Sequence, residues 1–407
     1  MITNAVILLA VIGMLVVLFH TRLAQARLWR ASMTPLASII GSGFLVLGPI
    51  LNWAYGKYAP LMMAGLCAGA WLFGAAIRFN IAVIARDGAN RPRVEQGVDT
   101  AASWALAFAY VISVAYYLNL FGAFAVSLTP FDDAGHARLL TSAMFFVVLI
   151  IGWVRGFHAL ERVEQISVAL KLAIIAGLLV GLVGFFISRA NGPGLLLNPA
   201  TQTGWGALTL AFGLIVTVQG FETSRYLGAD YDAALRIQSM RLAQAISAAI
   251  YLAYIALLAF VFLPETAALS ETSIIGMMGQ VAPVLPFLLV AAALAAQFSA
   301  AVADTGGTGG LVAELTARRL SPRQGYGVLV ALGVVLTWSA DVFQIITYAS
   351  RAFALYYALQ AVIAALAAWR GPGLGGEPSR LRAVGFGLLA VLGFAIFGFA
   401  QAVEGGG

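Results

Sequence analysis

Four ionisable side chains, Lys171, Glu222, Asp304 and Arg351, stand inside otherwise apolar stretches of the chain. Lys171 is the most informative, because from Val163 to Val180 the only other charge is Glu164, near the start. An unpaired charge at the centre of a membrane helix costs at least ~2.5–3.5 kcal/mol on insertion scales, so an ammonium there needs an interface within reach or oxygen partners. Val163 and Lys171 are about 12 Å apart along a helix that rises about 1.5 Å per residue, which strains the snorkelling alternative. An amine that is held by specific oxygens and exchanges its proton is an ion-coupling element.

Asp304 falls in Gln297-Phe-Ser-Ala-Ala-Val-Ala-Asp-Thr-Gly-Gly-Thr-Gly-Gly310, a polar, glycine-rich stretch that also contains Ser299. An intramembrane carboxylate is a functional candidate with a cationic partner, here Lys171 or Arg351; the alternative is a structural pair that fixes helix packing. Arg351 lies about 15 Å along a helix from Asp341, near midplane, where it serves as a charge partner or faces an anionic substrate. Arg78, eight residues before Arg86, reads as a side chain that snorkels to the inner surface.

The elements that position these groups are membrane helices. The chain has 407 residues, 61% hydrophobic and 10% charged, which excludes a soluble protein. Its apolar runs are about 20 residues long, enough to cross a hydrocarbon layer as helices, and no short alternating runs suggest a barrel. Spans are expected near 2–19, 33–52, 60–85, 100–128, 139–154, 163–187, 205–225, 238–263, 284–314, 324–340, 342–369 and 383–403, twelve in all. The expected fold class is an all-α polytopic membrane protein, and no connection is long enough for a separate soluble domain.

Alternate loops differ sharply in basic residues. One set carries Arg22, Arg27 and Arg30; Arg86, Arg91 and Arg93; Arg155 and Arg162; Arg225, Arg236 and Arg241; Arg318, Arg319 and Arg323; Arg370, Arg380 and Arg382. The opposite set carries only Lys57, Arg138 and Arg189, among acidic residues such as Asp132 and Glu265. Basic loops face the cytoplasm, so both termini are expected outside it, in a bacterial inner membrane. The net charge of +6 then reflects a basic belt against anionic lipid headgroups, with no nucleic acid implied. The first segment lacks a basic start and is followed by arginine, which reads as a retained helix and leaves a cleaved leader as the alternative.

Enzymatic chemistry has little material. Cys67 is the one cysteine, and His20, His136 and His158 fall at helix ends or in loops. That pattern offers no metal cluster, catalytic triad or phosphate loop, so neither a metal nor a cofactor is expected.

Setting aside the first and last spans leaves ten, which divide into five within 33–190 and five within 200–370, flanked by an extra helix with a basic loop in 1–32 and a last helix in 371–407. Two five-helix units in one chain must face opposite ways across the membrane, the arrangement of inverted-repeat transporters, whose site lies between broken helices at the midplane. Each unit has a polar interruption in its first helix. In the first, Ser38-Ile-Ile-Gly-Ser-Gly-Phe44 weakens the helix, because each Gly costs about 1 kcal/mol relative to Ala, and an unwound segment frees backbone groups for a ligand. Close packing through small residues is the alternative. In the second, Thr217-Val-Gln-Gly-Phe-Glu-Thr-Ser-Arg225 places one glycine beside Gln219 and Glu222; the alternative is an ordinary cytoplasmic helix end with Glu222 and Arg225 solvated.

Ile39-Ile-Gly-Ser-Gly-Phe-Leu-Val46 resembles the Ile-Gly-Ser-Gly-Ile-Phe signature of the amino acid, polyamine and organocation permeases. Gln219-Gly-Phe-Glu222, with Gly228-Ala-Asp-Tyr231 beyond it, is similar to that family's Gly-Phe-Glu motif and the acidic loop after it, and Lys171 falls where several sodium-independent members carry a lysine. The resemblance covers roughly residues 33 to 369. It implies a LeuT-type 5+5 inverted-repeat core with one extra helix at each end. In the first unwound segment, with Ile39 and Ile40 among its substrate-binding residues, the amides of Gly41, Ser42 and Gly43 would hold a substrate carboxylate, and carbonyls there and at Gln219, Gly220 and Phe221 would hold an ammonium.

By the same resemblance, the Lys171 ammonium takes the place of sodium and touches oxygens of the first and eighth core helices, with Ser299 as its partner there. Asp304 departs from the family pattern and joins the candidate ion-coupling set, with Glu222, as an intramembrane carboxylate. Tyr110, Tyr116, Tyr117, Tyr348, Phe353, Tyr356 and Tyr357 are candidate gating aromatics. Two departures stand out: a helix before the first broken one, and one helix after the tenth where two are usual. The expected function is a secondary transporter of an amino acid or small organic amine, coupled to protons or exchanging. The alternatives are a sodium-coupled symporter, recommended by the leading helix, and a membrane sensor or assembly subunit that binds without transport. The expected partners are a small-molecule substrate, protons and lipid; oligomeric state is left open.

Overall fold

A computed structural model describes residues 2–41, 43–154, 161–228, 230–264, 269–371 and 378–403, with side chains throughout except at Ala89 and 161–165. The helices are α1 (Ile2–Phe19), α2 (Thr21–Ala24), α3 (Arg27–Ile39), α4 (Gly43–Tyr55), α5 (Ala59–Asp87), α6 (Arg93–Val126), α7 (Ala134–Val154), α8 (Glu161–Asn191), α9 (Gly204–Gly213), α10 (Thr223–Tyr226), α11 (Ala233–Leu258), α12 (Ser273–Val281), α13 (Leu285–Leu315), α14 (Pro322–Ser339), α15 (Val342–Arg370) and α16 (Arg380–Phe399). No strand occurs among the described residues.

Nine helical segments among these residues are long and apolar enough to cross a membrane, with α4 and α5 counted as one. The sequence pattern suggests twelve spans, and the difference has local causes. The runs expected at 33–52 and 205–225 are each cut into shorter helices, α3 with α4 and α9 with α10. In α14 the first turn is Pro322, Arg323 and Gln324, which leaves too few apolar positions in an 18-residue helix. The chain is thus an all-α, multi-pass integral membrane protein.

The core is built on α6. It is buried over 89% of its apolar stretch, whereas α1 is buried over 17%, so α6 is central and α1 lies at the rim. The central helix packs against α13 and α15, α11 packs against α3 and α5, and α16 covers α15. Large apolar side chains such as Leu9, Val16, Phe287, Leu388 and Val391 are exposed on the outside, as a lipid-facing surface requires. The rim helix α1 lies on α8 at Gly177 and Gly181: a Cβ at Gly177 would meet Val11 Cγ2 at 2.6 Å. Small residues at i and i+4 allow this close approach of two helices in lipid.

Arginines from three basic loops converge at one end of the bundle. Asp99 accepts from Arg225 at 2.5 Å and from Arg91 at 3.0 Å, and Arg370 pairs with Asp87 at 2.9 Å and Glu95 at 3.0 Å. At the opposite end the amides of Thr201 and Gln202 both reach Ala54 O, at 3.0 and 2.9 Å, and Asn198 Nδ2 donates to Phe262 O at 2.8 Å. Arg91, Arg225 and Arg370, from three of the six basic loops, are thus grouped in space.

Candidate site at two crossing helix breaks

The first interruption follows from a proline and two glycines. Pro35 within α3 lacks an N–H, and the helix ends at Ile39, with Ile40 at φ −83°, ψ 55°. Chain direction resumes as helix at Gly43. Ser42, one of the expected carboxylate-binding residues, lies outside the described residues. The second interruption is longer: α9 stops at Gly213, a 3-10 turn covers Ile215–Val218, and Gln219 is extended at φ −80°, ψ 174°. Gly220 then takes φ +115°, a left-handed conformation open to glycine and strained for other residues. Both polar interruptions are therefore breaks.

The two breaks cross in contact. A Cβ at Gly43 would lie 2.7 Å from Thr217 Cα, and one at Gly220 would lie 2.6 Å from the Ser38 carbonyl carbon. Residue 43 thus meets 217 and residue 38 meets 220, so the segments run antiparallel past each other. Only glycine fits at either crossing point.

A cut helix leaves carbonyls and amides without helical partners, and in an apolar interior each must find another. Lys171 Nζ donates to Ala37 O at 2.5 Å, and Lys171 is 2% exposed, so its charge is held by the first break and does not reach an interface. Tyr251 Oη lies 3.0 Å from Ile39 O and 2.7 Å from Thr217 O. Ser350 Oγ on α15 donates to Gly213 O at 2.6 Å and accepts from Val216 N at 3.1 Å. Thr217 Oγ1 donates to Leu214 O at 2.6 Å.

Beyond the second break, Glu222 is fully buried. Its Oε2 accepts from Gly220 N at 2.9 Å and from Tyr357 Oη at 2.8 Å, while Oε1 has no partner among the described residues. Glu222 is therefore not the solvated end of a cytoplasmic helix. The Phe221 ring stacks on Tyr357 at 5.1 Å between centroids. Gln219 Nε2 donates to Tyr117 Oη at 2.9 Å, and its Oε1 is unpartnered among the described residues. Tyr117 also faces the first break: a Cβ at Gly41 would lie 3.9 Å from its Cε1. Two buried side-chain oxygens on one break thus have no protein partner among the described residues.

The remaining candidates divide. A small cavity of about 20 Å³, room for about one water molecule, is lined by Lys171, Ile40, Gly41 and the α13 residues Ala292, Ala293 and Ala296. Ser299, one turn further on, donates its hydroxyl to Ala296 O at 3.1 Å. Asp304 is 4% exposed and accepts from the Ser113 hydroxyl on α6. Arg351 is not brought to Asp304. Its Nε and Nη2 donate to Ala400 O at 3.2 and 2.6 Å, the carbonyl of the residue that caps α16. Arg78 corrects a second expectation: it is buried, donates to Gln244 Oε1 on α11, and lies 4.8 Å over the Trp71 ring. It does not snorkel, because α11 supplies an acceptor at its own depth.

Tyr117, Tyr251, Ser350 and Tyr357 carry the breaks with Lys171. Tyr117 and Tyr357 belong to tyrosine pairs visible in the sequence, but nothing in the pattern around Tyr251 or Ser350 marks them, since their partners lie 34 or more residues away.

Helices interrupted inside the bundle, crossing antiparallel and held by buried polar groups, define a membrane protein with non-helical main chain packed within its interior. The chain belongs to the APC transporter superfamily: a family model described as APC superfamily transporter matches residues 21–400. It is also 40% identical over 388 residues to an uncharacterized protein of Aquifex aeolicus (strain VF5), a match that covers 94% of this chain and 93% of the relative.

Proposed function

We propose that this protein is a secondary active transporter of an amino acid or related small organic amine, working by alternating access and coupled to protons, or exchanging, without sodium. The observation that carries this reading is the antiparallel crossing of the breaks at Gly43–Thr217 and Ser38–Gly220. Two units of opposite orientation, 33–190 and 200–370, account for it: each contributes its first helix, broken at the same depth, to one central crossing. Among the described residues, α1, the short α2 and α16 lie outside these units.

In this reading the amides from Ile39 to Gly43 face the substrate carboxylate, since the N-terminus of α4 presents free N–H groups and a partial positive charge. Gln219, Gly220 and Phe221 face its ammonium, and the unpartnered oxygens of Gln219 and Glu222 suit a cationic group. Lys171 on Ala37 O fills with an ammonium the kind of carbonyl site that sodium would otherwise take, which favours proton over sodium coupling. Asp304, Ser299 and Glu222 are the further ion-coupling candidates. The convergence of Arg91, Arg225 and Arg370 at one end supports a cytoplasmic face there and both termini outside it, in a bacterial inner membrane.

The test is uptake of amino acids and amines into proteoliposomes under an imposed pH gradient, with and without Na⁺, for wild type and Lys171→Ala. The reading requires uptake that follows the pH gradient, ignores Na⁺ and loses its pH dependence in Lys171→Ala. Uptake that needs Na⁺, or pH dependence unchanged in the variant, overturns the coupling assignment.

A further inference from the structure

Tyr251 lies in the second half of α11, fully buried, and its hydroxyl touches main chain of both breaks: Ile39 O at 3.0 Å and Thr217 O at 2.7 Å. Ile39 closes α3, so its carbonyl has no helical partner, and Thr217 sits in the 3-10 turn where the second helix has lost its register. A phenol has one proton. Two carbonyls aimed at it therefore share a single donor, and rotation about the C–O bond transfers the hydrogen bond from one to the other with the ring fixed. The ring is fixed by packing, edge-on to Phe44 at 5.5 Å, and Phe44 belongs to α4 just past the first break.

We propose that Tyr251 is a two-position latch that stabilises the conformation in which the breaks are closed on each other. When either break swings away, its carbonyl leaves the hydroxyl, and the proton turns to the one that remains. Closed, the one hydroxyl spares both buried carbonyls from going unpaired; open, the carbonyl that has left meets water and no longer needs it, so the hydroxyl favours the closed state over both open ones. This role rests on the transporter reading, since it assigns meaning to the breaks parting. Tyr251 is a positioning residue: it acts through the main chain that holds the solute and does not itself touch it.

Tyr254, one turn along, supplies a matched comparison. It is equally buried and also packs on Phe44, at 4.4 Å, but its hydroxyl has no hydrogen-bond partner among the described residues. Removing that oxygen should leave the closed state as it is.

The experiment uses full-length protein in proteoliposomes with Cys67→Ser and one buried reporter cysteine at a time: Val46→Cys in α4, Ser224→Cys in α10, or Thr141→Cys in α7 remote from the breaks. Labelling by a membrane-impermeant maleimide is followed in the wild-type, Tyr251→Phe and Tyr254→Phe backgrounds. Tyr251→Phe is expected to speed labelling at both Val46→Cys and Ser224→Cys by about three- to tenfold, because it leaves one more buried carbonyl unpaired in the closed state than in either open one. Thr141→Cys, and all three reporters in Tyr254→Phe, should keep wild-type rates. Unchanged rates at both break reporters overturn the proposal, as does acceleration at one alone or at Thr141→Cys in step, which would mark general loosening. If Tyr251→Phe does not fold, Tyr251→Met, which likewise has no donor and adapts its shape, is read the same way. Solute flux in the wild type tests the transporter reading separately, so a failed latch and a failed function are told apart.

Discussion

Gly220→Ala puts the crossing of the two breaks to a stability test. At φ +115° a residue with a Cβ is strained by about 1–3 kcal/mol. The added Cβ would also lie 2.6 Å from the Ser38 carbonyl carbon, where about 3.5–4.0 Å is comfortable. The atom it meets is backbone, so the breaks themselves must part by about 1 Å, at an overpacking cost of about 1–3 kcal/mol. Together these give about 2–6 kcal/mol against the closed conformation. Gly65→Ala is the control: its Cβ meets nothing within 4 Å, and Ala is better than Gly in a helix interior by about 1 kcal/mol. Thermal unfolding of detergent-purified protein, followed by a fluorogenic maleimide on Cys67, should show a lowered midpoint for Gly220→Ala and an equal or raised one for Gly65→Ala. Gly220→Ala as stable as Gly65→Ala would refute the crossing geometry.

Glu222→Gln keeps an acceptor for Gly220 N and Tyr357 Oη and should change stability by less than about 1 kcal/mol, while Glu222→Leu strands both donors and should cost about 2–4 kcal/mol by the same melting assay. Asp99→Asn and Arg225→Gln should show a coupling of about 1–3 kcal/mol in a double-mutant cycle of unfolding, since the two side chains are 15% and 9% exposed. Gln244→Leu should destabilise by about 1–3 kcal/mol because it removes the acceptor of Arg78 Nη1, and adding Arg78→Met should recover part of that loss.

Much of the architecture was legible because membrane helices advertise themselves by length and apolarity, and because breaking one takes residues that stand out. Gly41, Gly43 and Gly220 were readable for that reason, and so was Lys171 as a buried cation. What was not legible depends on neighbours distant in sequence. Arg351 looked like a partner for Asp304 because helical rise gives depth but not the direction a side chain takes, and the carbonyl it finds, Ala400 O, is 49 residues away. Arg78 looked like a snorkelling group because only the path along α5 could be counted, not the Gln244 amide on α11. Tyr251 was invisible because its importance lies in two carbonyls, which carry no residue-type signal.

The most direct measurement of the central claim is solute movement in proteoliposomes that contain this chain and no other protein. Vesicles preloaded with a mixture of unlabelled amino acids and amines, then given labelled ones outside, should accumulate label by exchange, and Gly220→Ala, with its breaks forced apart, should accumulate little. Saturable binding of a solute by the purified chain with no accumulation under any gradient would contradict transport and leave a sensor in its place.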